Sequence, residues 1–399
     1  MSSVVIVLHG VLLIVALLVS VPAAVLLLQV AAACRRGHEL AGLAPGVDAT
    51  AIAVLVPAHD EAEVIEETVC ALLGSLRQQD RLLVVADNCS DDTAQRARAA
   101  GADVVERFDE SRRGKGHALQ FGVDALGERL PLPAVVVVID ADCQVATGAL
   151  HRLAAESSAR SCPIQGAYSM RTPPDPSLTQ RISAFAWIVR NRVRTLGGAR
   201  LGWPCQLMGT GMAFPWSLLA TAPLASSHLV EDLQLGIHFA LAETPPRFCA
   251  EAEVWSRFPA DAAAAVTQRT RWEHGHLSLL SRAAPRLLWA GLFRGRPTLV
   301  AMALDLAVPP LAALVAVLFA LSLVGLVLGV LASAWVAFAI VGCALLAVAL
   351  AVLLAWRIAG RSTLSRRDLL GVPGYVLGKL GMYARWLVRR ETRWIRTRR

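Results

Sequence analysis

Two uncharged tracts set the first limit on what this chain can fold into. Val4 to Cys34 contains no Asp, Glu, Lys or Arg, and Leu306 to Trp356 contains no ionisable side chain of that kind either. Each exceeds the roughly 20 apolar residues that a helix needs to cross a bilayer. Ala332-Ser333-Ala334 is a small-residue break, so the second tract reads as two spans joined by a tight turn. Pro309-Pro310 is expected to kink the first of those two spans, and Asp305 stands near its start. No positive residue precedes the first tract and no cleavage site is evident in it, which disfavours a secretory signal peptide.

The arginines orient the spans. Arg35 and Arg36 follow the first, Arg286, Arg294 and Arg296 precede the second, and Arg357, Arg361, Arg366 and Arg367 follow the third. By the positive-inside rule all these flanks belong in the cytoplasm, and three spans satisfy the rule together. The middle of the chain is then a cytoplasmic domain at a plasma (inner) membrane, in a multi-pass protein. The net charge of +8, with the terminal stretch RRETRWIRTRR, fits contact with anionic membrane lipids rather than nucleic acid. Eight scattered cysteines without a C-x-x-C pair read as reduced thiols, neither a disulfide framework nor a zinc site.

Between about Thr50 and Pro259 the chain alternates short apolar runs with helical stretches. AIAVLVPA, RLLVVAD, ADVVER and AVVVVID read as strands, with a helix over Glu61 to Leu76, a second capped by Ser90 and ending at Gly101, and a third in KGHALQFGVDAL. That alternation implies an α/β domain with a parallel, Rossmann-like sheet. In such sheets ligands bind beyond the carboxyl ends of the strands. Asp60 follows the first strand, Asp87 ends the second, and Asp140 and Asp142 end the fourth. No G-x-G-x-x-G follows the first strand, which disfavours a dinucleotide-dependent dehydrogenase. One such aspartate could be a simple strand end or helix cap; four at successive strand ends suit hydroxyl recognition and a hard cation held through oxygen.

Four further features stand out. Lys115 is one of only two lysines in an arginine-rich chain and follows a glycine, where a compact charge could meet a phosphate. A solvated helix start is the alternative. Glu231 and Asp232 open an amphipathic helix, where N-capping competes with a role as general base. Gln268, Arg271 and Trp272 stand at i, i+3 and i+4, on one helical face. Arginine can grip phosphate and tryptophan can stack on a sugar, although an interfacial anchor would use the same residues. Gly209 and Gly211, flanking Thr210, permit close backbone approach or a plain turn.

The ordered set VPAHDEAEVI, VVADNCSDDT, RRGKGHAL, VVVVIDADCQV, VEDLQLG and QRTRW resembles the motifs of family 2 glycosyltransferases with the GT-A fold. The resemblance is to their membrane-embedded branch, which includes cellulose, hyaluronan and poly-N-acetylglucosamine synthases and ceramide glucosyltransferases. It implies an inverting transferase that moves a sugar from a nucleotide-sugar donor, a UDP-sugar, to a polysaccharide or lipid acceptor. It further implies Mg2+ or Mn2+ on Asp142 with Asp140, donor contacts from Pro57, Ala58, Asp60, Asp87, Lys115, Gln268, Arg271 and Trp272, and acceptor contacts from Gly209, Thr210, Gly211 and Trp272. Asp232 takes the part of base beside Glu231. Asp60 stands where the family usually has Asn, and Val230 where it has Thr. A single-addition glycolipid transferase is the alternative, and a non-catalytic scaffold with a nucleotide-sugar fold is a more distant one. A homo-oligomer or an export partner is compatible with either.

The expected organisation is an N-terminal span over 1–34, a linker over 35–49, the GT-A domain over 50–276 and an interfacial amphipathic segment over 277–298. Two spans over 299–356 and a basic tail over 357–399 complete it. Val372 to Val388 is expected to be interfacial or re-entrant, because Pro, Gly, Lys379 and Arg385 interrupt its apolar run.

Overall fold

The computed structural model describes residues 3–35, 51–226, 230–258 and 262–388. The linker and the terminal RRETRWIRTRR stretch lie outside the described residues. In chain order the elements are α1 (Ser3–Cys34), β1 (Ile52–Ala58), α2 (Ile65–Leu73), β2 (Arg81–Asp87), α3 (Thr93–Ala99), β3 (Asp103–Arg107), α4 (Lys115–Gly127), β4 (Val135–Val138) and β5 (Gln144–Val145). There follow α5 (Ala149–Arg160), β6 (Ile164–Arg171), α6 (Leu178–Ile188), a π-helical stretch (Val189–Arg194), α7 (Thr195–Arg200), β7 (Met212–Pro215) and α8 (Trp216–Leu219). The last group is α9 (Glu231–Leu241), β8 (Arg247–Arg257), α10 (Ala262–Phe293), α11 (Pro297–Leu306), α12 (Leu311–Ala332), α13 (Trp335–Ala355) and α14 (Val372–Val388).

The chain forms two compact units. One contains a sheet in the order β3-β2-β1-β4-β7-β6-β8-β5. Its first four strands are parallel, with Leu55 of β1 facing Leu83 of β2 on one side and Val138 of β4 on the other. Strands flanked on both faces read as unbroken apolar runs. Accordingly Val54, Leu55, Val84, Val85 and Val136 are fully buried. Gly122 brings α4 close over this layer: a Cβ there would lie 2.4 Å from Leu55 Cδ1. That close packing delivers the start of α4 to the carboxyl edge of the sheet.

The sheet is mixed rather than wholly parallel. β7 runs antiparallel to β4, pairing Val138 with Met212, and also antiparallel to β6. In the GTGMAF segment that carries β7, Gly209 and Gly211 take positive φ of 87° and 65°. Two helix boundaries also differ from expectation. α2 begins at Ile65 rather than Glu61, after a turn. Ser90 does not cap α3; the N-cap is Asp92, and Ser90 instead donates from its amide and hydroxyl to Asp60 Oδ1.

The second unit gathers α1, residues 174–201 and the chain from Arg269 to Glu391. Within this unit Gly197 on α7 meets the backbone of Gln29, where an added Cβ would fall 1.8 Å from the carbonyl oxygen. Three helical stretches, His9–Cys34, Leu311–Ala332 and Trp335–Gly360, are long and apolar enough to cross a membrane. The turn at Ser333 takes a left-handed conformation between α12 and α13. Pro309-Pro310 does not kink a span; it separates α11 from α12, with Pro310 as the N-cap of α12. Pro fits there because the first turn of a helix needs no donor from it. The amphipathic stretch after Trp272 is the continuation of α10, and α14 is one continuous helix of 17 residues.

Candidate active site

At the carboxyl edge of the parallel strands the backbone turns that carry the acids are held by long-range polar contacts. The Asp140-Ala141-Asp142 turn is fixed at two points: the Asp140 amide donates to Thr210 Oγ1 at 3.0 Å, and Thr68 Oγ1 donates to the Ala141 carbonyl at 2.8 Å. Gln165, fully buried on β6, accepts from the Met208 amide at 2.8 Å and donates to the Thr210 carbonyl at 2.9 Å. The Gly211 amide donates to the Val138 carbonyl at 2.9 Å, which closes the Gly209-Thr210-Gly211 turn against β4. Thr210 is fully buried with its hydroxyl engaged on Asp140. A buried hydroxyl needs an internal partner, and here it positions Asp140. Gly209 stays at the site: an added Cβ would lie 3.4 Å from Lys115 Nζ and 3.5 Å from Asp232 Oδ2.

Lys115 is no solvated helix start. Its ammonium contacts Asp140 Oδ1 and donates to the Gly209 carbonyl at 2.8 Å. Burial works against that charge, but Asp140, Glu231 and Asp232 together outweigh it and hold the ammonium at about 12. The next residue, Gly116, faces the backbone of residues 224–226: a Cβ there would fall 2.3 Å from the Leu224 carbonyl oxygen. Only glycine lets that segment pass over the start of α4 and wall one side of the site.

Glu231 and Asp232 form the first turn of α9, and neither is its cap; the N-cap is Val230. Burial first, and then the Asp232 charge, lift the Glu231 carboxyl to about 7, with Lys115 pulling the other way. Asp232 Oδ1 accepts from the Leu233 amide at 2.8 Å. Both acids line a cavity of about 250 Å3 with Lys115, Ser226, Gln234 and His238. A cation, two acids and hydrogen-bonding side chains thus converge on one concave space, the arrangement an acid–base site requires.

The other strand-end acids are tied into their loops. Asp87 is buried, and its Oδ1 accepts from Arg107 at 2.5 Å and from Asn88 Nδ2 at 3.0 Å. Arg107, which ends β3, also donates to Asp109 and to the Arg112 carbonyl. Arginine is suited to such a multidentate anchoring role. Its position as the last residue of VVER was the only sequence trace of it. Asp60 adopts a φ of 52° and binds the Ser90 turn, which links the ends of β1 and β2. Pro57 and Ala58 pair with Val85 and Ala86 at the end of β1, Ala58 being buried.

Asp140, Asp142 and Cys143 bring one donor atom each to within 4.8 Å of one another. Burial, reinforced by Asp142 and Asp140, pushes the Cys143 thiol well above its ordinary range, and the thiol donates to Asp142 Oδ1 at 3.7 Å. The two carboxylates offer oxygen donors of the kind that suit a hard cation such as Mg2+ or Mn2+. In the second unit Trp272 packs on Trp187 with ring centroids 4.9 Å apart. The side chains of Gln268 and Arg271 lie outside the described residues.

The probable glycosyltransferase YdaM of Bacillus subtilis is 26% identical over 251 residues, which cover 56% of this chain and 55% of that protein. An uncharacterized glycosyltransferase of Mycobacterium tuberculosis is 40% identical over 106 residues, 27% of this chain and 43% of that protein. The chain thus spans about half the length, or less, of these curated relatives. Among solved structures, a mannosyltransferase from Pyrobaculum calidifontis in complex with GDP-Man and Mn2+ is similar at 18% identity, covering 84% of this chain and 99% of that one, with a TM-score of 0.49. The profile of a whole family matches residues 49–275, the stretch that contains every acid described above. By that match the chain belongs to the glycosyltransferase-like family 2.

Proposed function

We propose that this family 2 glycosyltransferase moves a sugar from a UDP-sugar to a hydroxyl of a lipid or saccharide acceptor, at the cytoplasmic face of a membrane and with inversion at the anomeric carbon. The observation that supports it most is the convergence of Lys115, Glu231 and Asp232 on one cavity beside Asp140. In this reading the acceptor hydroxyl attacks the anomeric carbon as its bond to the diphosphate oxygen breaks. Asp232 receives the hydroxyl proton, and the nucleoside diphosphate leaves with the bonding electrons. A divalent cation held by Asp142 with Asp140 would supply positive charge to the departing diphosphate. Lys115 supplies a second positive charge on the same side, and Glu231 keeps a proton near neutrality that limits repulsion beside Asp232. Gln268, Arg271 and Trp272 keep the donor contacts, and Trp272 the acceptor contact, that the family resemblance implies.

Two variants test the assignment of the acids. Asp232→Asn should retain binding of UDP by calorimetry while transfer to acceptor falls roughly a hundredfold or more. Transfer at the wild-type rate would remove Asp232 as base. Product length by mass spectrometry then separates single addition from polymerisation. Glu231 has a separate signature in stability. Its carboxyl rises from 4.5 to about 7, so between those values the folded chain keeps a proton that the unfolded chain releases. Wild-type stability therefore falls as pH rises through that window. The Glu231→Gln variant should lack the fall, gaining in melting temperature relative to wild type at pH 8 compared with pH 5. Parallel curves would mean that Glu231 titrates normally.

A further inference from the structure

α14 is joined to the Trp272 turn of α10 by residue types this chain uses sparingly. The sequence has two lysines and three tyrosines, against 39 lysines and arginines together. Lys379 and two of the tyrosines, Tyr375 and Tyr383, stand at i+4 intervals along α14 and so share one face. That face meets Glu273, the neighbour of Trp272: Lys379 Nζ contacts Glu273 Oε1, and Tyr383 Oη donates to Oε2 at 2.7 Å. Glu273 and Lys379 are largely buried, with side chains 12% and 16% exposed. Lys379 also lies over the Tyr375 ring, 5.1 Å from its centroid.

The same helices close a triangle through α6. Arg181 of α6 grips Asp368, just ahead of α14, through two hydrogen bonds of 3.1 and 2.9 Å. Ser183 of α6 meets Tyr375 Oη at 3.2 Å, and Trp187 of α6 packs on Trp272. Each pair among α6, α10 and α14 is thus joined by a polar or aromatic contact. A plain membrane anchor requires none of this, since an interfacial helix is held by its apolar face and basic residues alone. Both Glu273 oxygens are occupied from α14, and an acid bound at both oxygens cannot rotate without losing a charged partner.

We propose that Lys379 and Tyr383 are positioning residues for sugar transfer: through Glu273 they fix the turn of α10 that bears Trp272, which makes α14 a working part of the enzyme. The proposal rests on the reading of Trp272 given under the proposed function. Misplacing a group by about 1 Å can cost a hundredfold in rate, so a loosened turn should lower kcat more than it weakens nucleotide binding.

The full chain in nanodiscs is tested first for sugar transfer from UDP-sugars to lipid and saccharide acceptors. No turnover by the wild-type chain would overturn the functional reading and this proposal with it. Given turnover, Lys379→Met and Tyr383→Phe should each lower kcat roughly tenfold or more while the Kd for UDP, measured with Mn2+, stays near the wild-type value. Lys379→Arg, which keeps the charge, should retain most of the rate. Glu273→Lys should be inactive, and adding Lys379→Glu to it should restore part of the rate. Wild-type kcat in Lys379→Met and Tyr383→Phe would overturn the proposal while leaving the transferase reading intact. Parallel losses of rate, melting temperature and UDP binding, without rescue by the swapped pair, would reduce the contact to general stability and overturn it equally.

Discussion

Asp142→Asn should abolish cation-dependent turnover, lowering it at least roughly a hundredfold, because a divalent cation contributes several kcal/mol to stabilising a departing phosphate. The expectation follows from the proposed role of Asp142 as the principal ligand in the D-x-D turn. Asp140 donates its amide to Thr210 and holds Lys115 at its Oδ1. Asp142 is partly exposed at the edge of the sheet and accepts from the Cys143 thiol, while Thr68 and Thr210 fix the backbone of the turn around it. The asparagine variant should therefore fold and melt like the wild type. The wild type should gain thermal stability from Mn2+ with UDP and the variant should not, because a ligand stabilises the folded state that binds it. Wild-type turnover with full cation response would remove Asp142 from the cation site.

The strands and the acids at their ends were legible because both signals are local. A buried parallel strand must be apolar throughout, so VLV, LLVV and VVVV announced β1, β2 and β4, and the next polar residue marked the sheet edge. Helix starts were legible where they carried chemistry, as at Lys115 and Glu231. What fixes the site in place was not legible. Gln165 reaches Met208 and Thr210, Thr68 reaches Ala141, and Arg107 reaches Asp87, each across 20 or more residues with no spacing rule to suggest the pairing. The antiparallel β7 was hidden for a related reason: its partner β4 lies some 70 residues earlier, and its own two glycines read as a turn. Ser90 had the chemistry of a cap, but Asp60 offered its amide and hydroxyl a charged acceptor, the stronger partner.

Asp305→Ala should unfold the apolar unit more severely than any truncation of an exposed side chain, by about 3–5 kcal/mol, because it strands a buried arginine. Arg194, at the end of the π-helical stretch, donates to Asp305 Oδ1 and to the Asp305 carbonyl, both at 3.0 Å, and to Gln29 Oε1 at 2.9 Å. Gln29 Nε2 returns a 2.7 Å bond to Asp305 Oδ1, which closes the network among α1, α11 and residues 189–194. Arg194 is 7% exposed and Gln29 1%, so water cannot replace a lost partner. The adjacent Gly197, pressed against the Gln29 backbone, leaves these elements no room to repack around a vacancy. Removing the charges together should cost much less than removing one, since a buried pair replaced by apolar groups is often neutral. Melting of the full chain in detergent, followed by size exclusion, should accordingly rank Asp305→Ala below Arg194→Met with Asp305→Leu. If the single variant melts as high as the double one, Arg194 reaches solvent and the network carries no buried charge. If the predicted order holds, α1 is bound into the protein through Gln29, and an enzyme stripped of its first helix would expose the same stranded arginine.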